Sequence, residues 1–176
     1  RRLYGGKVIA MMDRREPLDQ IKSRRDSALS ALVSGVPYLA WLGIRFDRRG
    51  DELTAILPYD EKLIGNPLLP ALHGGVTAAF LETTAIIELA WAAMWEDMES
   101  GRSVPDAAVS ASPPRLPKTI DFTVDYLRSG LPRDAYARAR VVRSGRRYAS
   151  VQVEAWQDNR SRLLAQATGH FLMPQG

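Results

Sequence analysis

Two features of this chain have residue types and spacing that can do chemistry. The first is His73-Gly74-Gly75, where a proline-containing loop runs into a long apolar segment. Glycine lets a ligand approach the backbone closely. The free N–H groups of a helix N-terminus favour negative charge, so they can hold a developing oxyanion. The second is Glu82, a carboxylate inside the run "VTAAFLETTAIIELAWAAMW". A buried carboxylate without partners is costly, so it needs hydrogen bonds or a function. Glu82 could cap a neighbouring loop or pair with an arginine. It could also serve as nucleophile or general base. Glu88, six residues further on, points about 120° away on a helix and cannot share a site with Glu82.

The two features constrain each other. Gly74 and Glu82 are eight residues apart, which on a helix is about 12 Å along the axis. A reacting carbonyl needs its oxyanion donor and its nucleophile or base within roughly 3 Å of the same atoms. One helix cannot offer both to one carbon. If both act, the Gly74 end of one chain must meet Glu82 of another, and the protein is at least a dimer with two equivalent sites.

The elements that must position these residues follow from periodicity. Leu18 to about Val36 reads as a helix, with Ile21, Leu29, Leu32 and Val33 at compatible spacings and Gly35 and Pro37 ending it. "YLAWLGIRFDRRGDELTAILP" reads as two strands joined at Arg49-Gly50-Asp51. "YDEKLIGNPLLPALHGG" is loop, and a long helix follows from about Gly75 to Met98. Residues 99–118 hold Pro105, Pro113, Pro114 and Pro117 and form no element; this stretch is long enough to lid a cleft. From Thr119 the period becomes two. "TIDFTVDYL", "DAYARARVV", "YASVQVEAW" and "RLLAQATGHFLM" read as four strands in a meander, with a hairpin turn at Ser144–Arg147. A helix apolar on nearly every side must be wrapped, and an antiparallel sheet of about six strands can wrap it. The fold class is α+β with a central helix and an extra N-terminal helix. The aromatic residues Tyr38, Trp41, Trp91 and Trp95 are expected in the core or at an interface.

Composition bounds the chemistry. The 176 residues allow one domain with a sizeable core, and 45% are hydrophobic against 25% charged. There is no cysteine, which excludes a thiol nucleophile, a disulfide framework and a thiolate metal site, and fits a cytoplasmic location. With only His73 and His170, no metal centre is expected. The net charge of +4 is concentrated in Arg1, Arg2, Lys7, Arg14, Arg15, Lys22, Arg24 and Arg25, read as a solvated leader rather than a nucleic-acid arm. The run Val76–Trp95 has membrane-spanning length, but two internal glutamates and no basic flanks argue for a core helix and against a membrane partner.

"LHGGVTAAFLETTA", with the later "TIDFTVDYLRSG…ARVVRSGRRYASVQVEAWQDNRSRLLAQATGHFLM", resembles the hotdog-fold acyl-CoA thioesterases. The resemblance is to the phenylacetate-pathway type, related to 4-hydroxybenzoyl-CoA thioesterase of the glutamate-on-helix kind. It covers about Val36 to Met173, leaving residues 1–35 as a basic leader plus helix and 36–176 as the hotdog domain. It implies that Gly74 donates its N–H to the thioester oxygen and that Glu82 is nucleophile or base for water. It implies that Asn66 helps polarise the carbonyl or hold water, His73 orients the loop, and Thr119 positions water or the carboxylate. Gly75 and Thr83 would support substrate and acid. Most phenylacetate-type relatives carry Asp where this chain has Glu82. Coenzyme A, part of the substrate rather than a cofactor, would be met by Arg128 and by Arg143, Arg146 and Arg147 at the hairpin. A homodimer, with a dimer of dimers as further assembly, is implied. Two other readings compete: a hotdog dehydratase or hydratase, and a non-catalytic acyl-binding protein using its basic arm.

Overall fold

Small side chains hold the inward positions of the last three strands. Ala135 and Ala137 of β6 (Ala135–Ser144), Ala149 and Ala155 of β7 (Tyr148–Trp156), and Ala165, Ala167 and Gly169 of β8 (Ala165–Leu172) are buried, while Gln152, Glu154, Gln166 and His170 face out. This alternation makes a shallow floor on which a bulky helix can lie close. The helix is α3 (Gly74–Glu99), which presses Phe80, Leu81, Ile87, Leu89 and Trp91 into it, each at most 2% exposed. Truncating such a side chain to alanine typically costs about 3–5 kcal/mol. The computed structural model describes residues 17–100 and 115–175. The basic leader to residue 16, and most of the proline-rich stretch read as a possible lid, lie outside the described residues.

Before α3 come α1 (Leu18–Ser34), α2 (Pro37–Leu42), β1 (Arg45–Arg49), β2 (Glu52–Leu57) and a two-stranded ribbon of β3 (Ile64–Asn66) and β4 (Ala71–Leu72); β5 (Lys118–Tyr126) follows it. The main sheet has the order β1-β2-β6-β7-β8-β5, antiparallel throughout. A sheet of six strands wrapped on one long helix, with an additional N-terminal helix, is the hotdog arrangement.

Three expectations change. The last four strands are not a simple meander, because β5 lies beyond β8 and not beside β6. Residues 127–134 cross the end of the sheet, held there by Gln157, whose side chain bonds Leu131 and Arg133 backbone groups. Alternation fixes a strand's faces but not its neighbours. The stretch after Val36 begins as a helix. Pro37, read as a stop signal for the first helix, stands at the first helical position of α2, and Gly43 ends α2 with φ 75°. Lastly, the stretch read as loop before α3 carries the short β3–β4 ribbon; Trp91 is core, and Tyr38 and Trp41 are 48% and 60% exposed and stack on each other.

α3 is long and apolar enough to cross a membrane by length and composition, yet half of that apolar window is buried inside this protein. Its far half is clamped from outside. Arg25 of α1 lies 4.0 Å over the Trp95 ring and bonds Glu99, and Arg48 of β1 bonds Asp26 of α1 at 2.6 Å. Trp91 donates its indole N–H to the Asp51 carbonyl at the β1–β2 turn.

Glu88 faces the same turn. Burial first, and then the Asp51 and Glu52 carboxylates, push its pKa from 4.5 up to about 7. Arg138 bonds Glu52 at 3.4 Å and so does not neutralise Glu88 directly. Because the folded pKa exceeds the unfolded one, the native state keeps a proton on Glu88 that the unfolded chain loses. Stability is therefore full below pH 4.5 and is lost as pH rises towards and through 7. The difference amounts to about 3 kcal/mol. Melting curves of wild type and Glu88→Gln should accordingly diverge from pH 5 to pH 8, with the variant increasingly the more stable. Parallel curves would show that Glu88 is charged at no cost.

Candidate active site

The start of α3 is built by His73 acting as its cap. The His73 Nδ1 accepts the Gly75 N–H at 2.9 Å, and its carbonyl accepts the Val76 and Thr77 N–H groups at 3.0 and 3.1 Å. The His73 N–H itself goes to Leu63. With Nδ1 accepting, a neutral ring carries its proton on Nε2. A glycine is required opposite: a Cβ on Gly65, the bulged residue of β3, would sit 2.7 Å from the His73 Cα. Gly75 is also tight, with a Cβ there 3.0 Å from His73 Nδ1.

These bonds account for every donor in the first turn but one. Among the described residues, the N–H of Gly74 alone has no acceptor. It belongs to a peptide whose carbonyl already accepts two N–H groups, which strengthens it as a donor. Gly75, expected to help bind substrate, has its N–H committed to His73. A residue that the sequence reading treated only as part of an apolar face stands beside Gly74: the Tyr126 hydroxyl donates to the Gly74 carbonyl at 2.9 Å. Nothing in the pattern "TIDFTVDYL" marks Tyr126 as different from Phe122 or Val124.

Glu82 is half-buried, and its Oε1 accepts the Thr119 hydroxyl at 2.6 Å. This is at the short end for a hydroxyl-to-oxygen bond. Its other oxygen has no hydrogen-bond partner among the described residues. Strict alternation puts Thr119 on the wet face with Asp121 and Thr123. The fold reverses this with a β-bulge: Thr119 pairs with Phe171 and Asp121 with His170, so Ile120 is the extra residue. Ile120 is turned out, 54% exposed, and Thr119 is turned in to reach α3. Bulges re-aim side chains in this way. Phe122 keeps the inward phase by lying across Gly169, where a Cβ would be 2.5 Å from its ring.

The remaining candidates divide. The Asn66 Oδ1 accepts the Leu68 and Leu69 N–H groups at 3.1 and 3.3 Å, which leaves its amide N–H groups for other use. Thr83 does not touch the Glu82 carboxylate; its hydroxyl bonds the Ala79 and Phe80 carbonyls of its own helix. Arg128 lines a cleft of 440 Å³ with Gly74, Thr77 and Tyr126. That cleft shares Arg128, Ser129 and Leu164 with a second, of 240 Å³, where Arg133 and Arg162 stand. Arg162, in the turn before β8, was not anticipated. Arg143, Arg146 and Arg147 are exposed at the β6–β7 turn, at the opposite end of the sheet, beside Lys118 and Leu172. A larger cleft of 580 Å³ between α1 and β1 contains none of these residues. Among the described residues no cluster of His, Asp and Glu could hold a metal.

Comparison with known proteins agrees with this architecture. A protein from Chromobacterium violaceum is 31% identical, with a TM-score of 0.58 over 89% of this chain and 98% of that one. A phenylacetic acid degradation-related protein from Ralstonia eutropha is 20% identical, TM-score 0.60, covering 82% and 98%. A Bacillus halodurans protein solved with CoA is 21% identical, TM-score 0.57, covering 87% and 95%. No curated protein matches the chain. Residues 69–163, more than half of the sequence and the span from the Pro70 loop through α3 to the last turn, match the family model of the thioesterase superfamily. The chain belongs to the thioesterase superfamily, and it is a thioester hydrolase.

Proposed function

We propose that the protein hydrolyses an acyl-CoA thioester to the free acid and coenzyme A, in a site made by two copies of the chain. What carries this reading is strand β5. It is an open edge of the sheet, and it ends at Thr119 with Glu82 on one side and at Tyr126 with Gly74 on the other. The seven steps from Thr119 to Tyr126 span roughly 23 Å. An antiparallel edge-to-edge pair about a two-fold axis brings the Tyr126 end of one copy to the Thr119 end of the other. The donor and the acid then meet twice. Within a single chain they do not meet.

In such a site the thioester oxygen accepts the Gly74 N–H, helped by the positive end of the α3 dipole. The Asn66 amide can donate from the neighbouring loop. Glu82 of the second copy, held by Thr119 through one oxygen, uses the other in one of two ways. It attacks the carbonyl carbon, expelling the coenzyme A thiolate and leaving a mixed anhydride for water to open. Alternatively it takes a proton from a water that attacks the same carbon. Arg128 lies in the cleft that leads from Gly74, where coenzyme A phosphates would need cations. The hairpin arginines, at the Thr119 end, approach the same cleft only from the second copy. A substrate carrying coenzyme A fits a cytoplasmic enzyme, and the Bacillus halodurans protein of like fold was solved with CoA. The dehydratase alternative needs a histidine free for acid–base work, and His73 has Nδ1 committed to the helix start.

Thiol release from benzoyl-CoA and hexanoyl-CoA tests the chemistry. Glu82→Gln should lower turnover by orders of magnitude. Gly74→Pro should lower it about 10²–10³-fold, because proline is at home at a first helical position and removes only the N–H. The residue before it, His73, already has the extended ψ of 132° that proline requires. The shared site is tested by co-refolding the two inactive variants. A mixed dimer has one intact site, so activity should return to roughly a quarter of wild type; a mixture as inactive as its parts would refute the shared site.

Arg128→Ala separates coenzyme recognition from chemistry. It should raise KM for the acyl-CoA about tenfold and leave the matching acyl-pantetheine, which lacks the nucleotide, unaffected. An equal effect on both substrates would remove Arg128 from nucleotide binding.

A further inference from the structure

We propose that Tyr126 is a positioning residue for thioester hydrolysis: its hydroxyl holds the first residue of α3 so that the Gly74 N–H keeps its aim at the thioester oxygen. This rests on the reading of Gly74 as oxyanion donor.

Two successive glycines open α3, and glycine is the residue with the most backbone freedom to lose. A helix start is also where intrahelical bonds are missing. An oxyanion donor placed there needs restraint from outside the helix. Each glycine has one such restraint: Gly75 is held at its N–H by His73 Nδ1, and Gly74 at its carbonyl by the Tyr126 hydroxyl. The Tyr126 ring also covers Gly74, standing 3.5 Å from where a Cβ would be.

Tyr126 is itself well anchored. It is the last residue of β5, paired with Ala165 of β8. The next two backbone N–H groups, of Leu127 and Arg128, both donate to the Leu164 carbonyl at 3.0 Å. The tie therefore links the oxyanion peptide to the rigid end of the sheet. The side chain is 56% exposed and lines the cleft beside Gly74. Its hydroxyl touches Gly74, not the place of the reacting carbon, so its effect must pass through Gly74.

The experiment is a double-mutant cycle on the full chain, with benzoyl-CoA and hexanoyl-CoA as substrates. Tyr126→Phe keeps the ring and removes only the tie. A misaimed donor should lower kcat about tenfold with KM within twofold and the melting temperature unchanged. In the Gly74→Pro background, which has no donor to aim, the same substitution should cost nothing further. A raised KM with unchanged kcat would assign Tyr126 to coenzyme contact and overturn the proposal. So would an additive loss on Gly74→Pro, or wild-type kinetics for Tyr126→Phe. If instead Gly74→Pro itself keeps the wild-type rate, the oxyanion reading fails first and this inference with it. Should Gly74→Pro not fold, the kcat and KM of Tyr126→Phe decide alone.

Discussion

The rise of an α-helix is the constraint on which this molecule turns. α3 carries both the Gly74 N–H, which has no acceptor among the described residues, and the anchored carboxylate, but eight residues separate them, about 12 Å along the axis. The helix cannot be bent to close that gap without leaving the floor of small side chains that β6, β7 and β8 provide. The strand beside it has the complementary property. β5 carries a hydroxyl contact to α3 near each end and, among the described residues, has one edge unpaired. A two-fold axis across an antiparallel edge exchanges the ends of a strand. In the proposed pair, the separation that forbids a site within one chain is bridged by the second copy.

Much of this was legible in the sequence, because it depends on local rules. The long helix, its glycine start, the acid within it and the alternating strands all announce themselves through periodicity and residue type. The sheet order did not, since Ile120, Phe122 and Val124 alternate equally well beside β6 or beside β8. Thr119 is more instructive. Alternation assigned it to the wet face and family resemblance assigned it to the site. The bulge at Ile120 turns Thr119 from the wet face to the Glu82 carboxylate. A bulge inserts one residue and flips the phase of everything before it, and no residue in "KTIDF" signals that. Tyr126 was hidden for a related reason: a tyrosine at the end of an alternating strand reads as one more apolar position, and only the tertiary contact shows its hydroxyl at work.

The two glutamates of α3 illustrate how position on one helix sets chemistry. Glu88 packs toward the β1–β2 turn, among carboxylates and under the clamp of α1, and its pKa rises to about 7 as a consequence. Glu82 lies at the β5 edge, half-buried, with a hydroxyl on one oxygen and the other unengaged. Burial among like charges favours the neutral acid, whereas a donated hydrogen bond favours the anion. A nucleophile or base must be an anion, and it must keep an oxygen free. Glu82 keeps one oxygen without a partner among the described residues while Thr119 fixes the other, and burial beside Asp51 and Glu52 raises the pKa of Glu88.

The hydroxyl bond also bears on how a glutamate differs from an aspartate at this position. The extra methylene adds a rotatable bond and lets the carboxylate wander. Left alone, the longer acid would reach further but be less well aimed, and a misplaced catalytic group loses rate steeply. Thr119 removes that freedom by fixing Oε1 at 2.6 Å. The bulge that turns Thr119 inward and the longer acid are then parts of one solution, because each is of little use without the other. Without the bulge the glutamate would be unrestrained, and an aspartate in its place, one methylene shorter, would have to draw α3 and β5 closer to reach the same hydroxyl.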